Sequence, residues 1–103
     1  MQTFMVTSTA GPNRDLTRDT RQQPHWDDHA AFIDGLVEDG FIFLGGPLVD
    51  EGGAVIVVQA EDEASVRSVL ANDPWYQHGI LTLASIKRWQ IFIDERAATI
   101  ATT

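Results

Sequence analysis

Phe41-Ile-Phe-Leu-Gly-Gly-Pro-Leu48, the turn Asp50-Glu-Gly-Gly53 and Ala54-Val-Ile-Val-Val-Gln-Ala60 together decide the fold. Each apolar run is short, rich in β-branched or aromatic residues and closed by turn formers, which reads as a strand. The glycine-rich turn between them makes the pair a hairpin. Pro47 has no N–H to give to a ladder, so the first of the two belongs on a sheet edge.

Upstream, His29, Phe32, Ile33, Leu36 and Val37 recur at helical spacing, predicting a helix over about 26–39. Asp27 and Asp28 suit its N-terminal dipole, and Gly40 is placed to end it. Residues 2–9 alternate as a first strand, closed by Gly11-Pro12. From 10 to 24 there is no apolar periodicity, and so long a connection is expected to be a functional lid or disorder. Downstream, Asp62 is a candidate N-cap for a helix over 63–72, and Pro74 disfavours helical geometry at Asp73. A last strand falls within 80–93, and the tail, 94–103, is expected to fray. The order βαββαβ is the ferredoxin-like arrangement, an α+β fold with a four-stranded antiparallel sheet and two helices on one face. At 103 residues the chain is one domain.

Two helices leave the other face of such a sheet open. Residues 41–44 and 55–58 are apolar at both parities, whereas open faces commonly alternate with polar residues. An exposed apolar patch of that kind points to an interface, here a homodimer packed through the sheet face.

The net charge of −8, with only seven Lys and Arg, argues against nucleic acid and anionic membranes, both of which require basic residues. The chain has no cysteine, which excludes disulfides and thiolate chemistry. It has no signal-peptide pattern and no apolar run long enough to span a membrane, so a cytoplasmic location is expected.

Nucleotide-binding loops, nucleophile elbows and the zinc-protease motif are missing from the sequence. His25 and His29 are four residues apart, but His25 follows Pro24 and falls before the helix, so no metal site is assigned. His29 lies on the apolar helix face in the first turns, where either a satisfied core-edge histidine or a catalytic imidazole fits. Asp73 reads as a turn residue first and, as the functional alternative, as a carboxylate in an aromatic-lined pocket beside Trp75 and Tyr76. Arg14, Arg18 and Arg21 concentrate basic charge in the long loop, suiting either a solvated segment balanced by Asp15 and Asp19 or a guanidinium lid over an anionic ligand. Trp26, Trp75, Tyr76 and Trp89 serve as core, as interface or as pocket wall.

The segments His29 to Gly40, Phe41-Ile-Phe-Leu-Gly-Gly-Pro47 and Asn72-Asp73-Pro74-Trp75, with Gly79 before the last strand, resemble the YCII-related family. That resemblance implies a dimeric α+β barrel and an active site containing a histidine and an aspartate, here His29 and Asp73. Gly46 and Pro47 then join Arg14, Arg21, Trp26 and Trp75 as candidate substrate contacts. The expected activity is a lyase- or isomerase-like reaction on a small anionic or enolisable metabolite, with His29 and Asp73 as the acid–base pair and no cofactor or metal. The alternative is a noncatalytic small-ligand-binding or interaction module using the same cleft.

Overall fold

The computed structural model describes residues 1–96. Its strands are β1 (Gln2–Ala10), β2 (Ile42–Pro47), β3 (Ala54–Ala60) and β4 (Leu81–Arg88), and its helices are α1 (Trp26–Glu38), α2 (Glu63–Leu70) and α3 (Pro74–Gln77). They form one antiparallel sheet in the order β2-β3-β1-β4. This is the ferredoxin-like α+β arrangement, with β2 on an edge where Pro47 needs no ladder partner. Among the described residues no helix is long and apolar enough to cross a membrane.

Strand alternation sorts the two faces. Val6 pairs with Ile56 on one side and Ile86 on the other, and Phe4 pairs with Val58, which pairs in turn with Ile42. These residues join Val66 and Leu70 of α2 in the core, with Ile33 and Leu36 of α1 packed against it. Asp62 caps α2 by accepting from the Ser65 amide at 2.8 Å, which stabilises the first turn and so seats Val66 and Leu70. Gly40 ends α1 at φ 79°, a conformation most side chains resist, and the Phe41 amide reaches back to the Leu36 carbonyl at 2.9 Å.

The open face is less uniform than the sequence pattern implies. Met5 pairs with Val57, which pairs with Leu44 across β2, and Val55 lies nearby on the same face. On β1 and β4, however, that face carries Thr3, Thr7, Ser85 and Lys87, and the Thr7 and Ser85 hydroxyls bond to each other at 2.5 Å. The apolar side chains of this face therefore run as a stripe over β3 and β2, with Val57 3% exposed and Leu44 at the edge 44% exposed. The difference arises because 41–44 and 55–58 are doubly apolar while the other two strands alternate.

Two further expectations change. The helix expected over 63–72 stops at Leu70, and the Asp73 carboxylate then caps the extra turn α3, accepting from the Trp75 amide at 2.9 Å. Pro74 ends one helix and, fitting the N1 position, opens the next. The segment after Ala10 is folded. Its Gly11 and Asn13 amides bond to the Ile80 and Gly79 carbonyls, each at 2.8 Å. The buried Gln23 amide donates to the carbonyls of Asp15 and Arg18 and accepts from the Asp15 amide. It contains a 3-10 turn, Thr20–Gln22. The frayed tail expected from Asp94 lies outside the described residues from 97 onward.

A Cβ on Gly11 would sit 2.1 Å from the Gly79 carbonyl oxygen, whereas one on Gly35, within α1, meets nothing within 4 Å. Gly11→Ala should therefore lower the urea midpoint, with a cost of roughly 1–3 kcal/mol. Gly35→Ala should raise it, by about 0.5–1 kcal/mol. Equal effects from the two substitutions would contradict the β1–Gly79 packing.

Candidate functional site

Helix α1 covers the core without sealing it. None of its residues is fully buried, and between it and β2 and β3 lies a cavity of about 340 Å³. That size falls in the range of small-molecule sites. Its walls are largely apolar, with Ile33 and Val37 on the helix side and Ile42 and Ile56 on the sheet side. Gly45, which pairs with Ile56 on the helix face, contributes no side chain, and this leaves the space between helix and edge strand open; Gly46 lines it beside Gly45. Pro47 extends that wall, and β2 bulges at Phe43, which also lines the cavity.

His29 stands in the wall of this cavity and Asp73 lies behind it. The Asp73 carboxylate is 1% exposed and the His29 side chain 12%. Nδ1 of His29 lies 2.8 Å from Oδ1 and 3.0 Å from Oδ2 of Asp73. An ionised carboxylate only accepts, so Nδ1 carries the proton and donates it. In a neutral ring this arrangement puts the free lone pair on Nε2, the atom that could serve as a base toward the cavity that His29 lines. The α3 cap holds Asp73, because Oδ1 also takes the Trp75 amide.

The imidazole is also held on one face by an aromatic ring. Trp75 stacks on it with ring centroids 3.8 Å apart and planes within 5°. Trp26 approaches it and Trp75 at a tilt, at 5.8 and 5.6 Å. Trp75 is fixed in turn by its indole N–H, which donates to the Pro24 carbonyl at 2.8 Å. The long segment thus ends by anchoring the aromatic wall of the site.

Charge enters the cavity through Arg14. Its guanidinium lines the wall and donates to the Thr20 hydroxyl at 3.4 Å. Asp15 pairs with Arg18, at 3.3 Å, leaving Arg14 outside any ion pair among the described residues. Gly52, at φ +74°, passes so close that a Cβ there would lie 3.0 Å from Arg14 Nε. A glycine is what lets the guanidinium lie against this turn.

Of the residues singled out from the sequence, His29, Arg14, Trp26, Gly46, Pro47 and Trp75 all line the cavity, and Asp73 touches it through His29. Arg21 does not. It faces a separate concavity with Gln23, His25, Asp27 and Asp28, because the 3-10 turn points it away. His25, with its backbone left-handed at φ 63°, stacks its ring on His78 at 3.9 Å, away from His29. Thr20 and Gln23 have no signal in the sequence. Polar loop residues carry no periodicity, and only the folded segment shows that one lines the cavity and the other ties the loop together.

No curated protein sequence matches the chain. Among solved structures, 5-chloro-2-hydroxyhydroquinone dehydrochlorinase from Burkholderia phenoliruptrix AC1100, in complex with 2,5-dihydroxybenzoquinone, shares the fold. Its TM-score is 0.67 and its identity 24%, over 85% of this chain and 93% of that one. A family model, the YCII-related domain, matches residues 2–90. The chain belongs to the YCII-related domain family.

Proposed function

We propose that the protein is a cofactor-independent small-molecule enzyme, lyase- or isomerase-like, that moves a proton on a small anionic or enolisable ligand. The observation that carries this reading is the buried His29–Asp73 pair, with Nε2 left basic beside an apolar cavity. In this mechanism Nε2 takes a proton from an acidic C–H or O–H of the ligand. Asp73 holds the ring in place and stabilises the imidazolium that results. The electron pair left behind forms an enolate-type oxyanion, and Arg14 is the cation that meets it. The step then ends in one of two ways. The proton returns from Nε2 at another carbon, which is isomerisation, or a leaving group departs with its electron pair, which is elimination.

The solved dehydrochlorinase supports the elimination branch by analogy, since its name describes loss of hydrogen chloride and its bound ligand is a hydroxylated ring. A flat ring also suits the walls here, where the stacked His29 and Trp75 rings and the tilted Trp26 form an aromatic side and aliphatic side chains another. We also propose a homodimer contact on the open sheet face. The stripe of Met5, Val55, Val57 and Leu44 would otherwise leave Leu44 exposed to water.

On a panel of hydroxylated cyclic and enolisable acids, His29→Gln should lower kcat/KM by about 10²–10⁴-fold. Asp73→Asn should lower it too, because the amide can present its NH₂ to Nδ1 and favour the wrong tautomer. Full activity in both variants would end the acid–base reading. Ligand bound and recovered unchanged by the wild-type protein would favour the binding-module alternative. Arg14→Met should raise KM for anionic ligands while leaving neutral analogues little affected, as comparative steady-state kinetics would show. Light scattering at micromolar concentration should give twice the chain mass of 11.4 kDa, and Leu44→Glu should return the protein to a monomer; a wild-type monomer would remove the proposed interface.

A further inference from the structure

The mechanism leaves a second cavity unused. It measures about 30 Å³ and is lined by Asp73 but not by His29; it shares Ile33, Ala54 and Ile56 with the ligand cavity and so adjoins it on the Asp73 side. Its other polar walls are Ser8 of β1 and Tyr76 of α3, set among Val6, Ile33 and Leu70. Asp73 and Ser8 are both almost fully buried. A space of this size holds one water molecule, provided that two or more polar partners face it, and here there are three.

The needs of Asp73 make such a group useful. Its carboxylate offers about four acceptor sites, and the Trp75 amide and His29 Nδ1 occupy only part of them. The buried remainder gains from a donor, because an unmet carboxylate lone pair inside a protein is costly. Tyr76 is suited to be that donor. Burial pushes its phenol above the ordinary value of 10.0, a hydrogen bond with Ser8 works in the opposite direction, and the nearby Asp73 charge raises it further. The hydroxyl therefore keeps its proton at neutral pH.

We propose that Tyr76, with Ser8 and one bound water in this cavity, forms a hydrogen-bonded group beside Asp73 that sets how strongly the carboxylate holds the His29 Nδ1 proton. Tyr76 is thus a positioning residue, acting on the imidazole through Asp73. The proposal deepens the acid–base reading and rests on it for its catalytic meaning, but the hydrogen-bond chain is measurable without turnover. Donors in this cavity draw electron density from Asp73. Removing one makes the carboxylate a stronger acceptor toward His29.

The test is the proton NMR signal of His29 Hδ1 in the intact protein, compared between wild type and Tyr76→Phe, with circular dichroism to verify the fold. The expected result is a downfield shift of that signal in the variant, reflecting a shorter, stronger bond to Asp73. A crystal structure should place a water within hydrogen-bonding distance of both Asp73 and Tyr76 Oη. An unmoved Hδ1 signal in a folded variant, or a dry cavity in the crystal, overturns the proposal. If Tyr76→Phe does not fold, the same signal is measured in Ser8→Ala, where a downfield shift supports the hydrogen-bonded group and an unmoved signal overturns it. Where the Hδ1 signal shifts but His29→Gln remains fully active, the relay stands and only the catalytic reading fails.

Discussion

A carboxylate taken out of water must be met by donors or it will not stay ionised, and Asp73 is almost completely out of water. Its partners come from two places in the chain. The Trp75 amide arrives from the same helical turn, and the His29 imidazole arrives from a helix 44 residues earlier. The first fixes the carboxylate and the second uses it to orient a ring. Because α3 exists as the turn that Asp73 caps, local backbone geometry and site geometry rest on the same two oxygens. Displacing that carboxylate loosens the start of α3, the Trp75 ring and the imidazole stacked on it together.

The cavity follows from what the edge of the sheet lacks. A well-packed interior closes to crystal-like density, and α2 does so with Val66 and Leu70. Helix α1 faces Gly45, whose missing side chain leaves nothing to fill the gap. One Cβ on Gly45 would already strike Ile56, at 2.7 Å, so the edge strand approaches its neighbour closely while staying clear of the helix. The ligand space is thus a consequence of sequence on β2 and asks nothing unusual of the helix.

The parts of the fold legible in the sequence are those governed by periodicity and punctuation. The hairpin of β2 and β3 and the apolar face of α1 carry strong repeating patterns. Asp73-Pro74 is legible as a helix end, but the same dipeptide also opens a helix, and nothing in one sequence separates these uses. Which residues touch across long separations is not legible either. His29 and Asp73 stand out as single residues, and only the packing of α1 against α3 brings them within bonding distance. Arg14 and Arg21 look equivalent in a loop without periodicity. A 3-10 turn and the hydrogen bonds of Gln23 send one into the cavity and the other away. Ser8 reads as one more alternating strand residue, with no sign that its hydroxyl faces a buried space beside Tyr76.

The Gln23 side chain ties the segment between Pro12 and Pro24 to itself, with its amide contacting the backbone at Asp15, Arg18 and Asp19. The segment therefore carries its own internal scaffold and meets the rest of the molecule mainly at its two ends, near Gly79 and at Trp75. A part held in this way is exchangeable. A replacement of Arg14 there changes which cation reaches the cavity, while the buried pair itself belongs to α1 and the start of α3. On the proposed acid–base reading, ligand choice and proton chemistry sit on separate pieces of the chain, so lineages sharing this fold are free to diverge in the first while retaining the second.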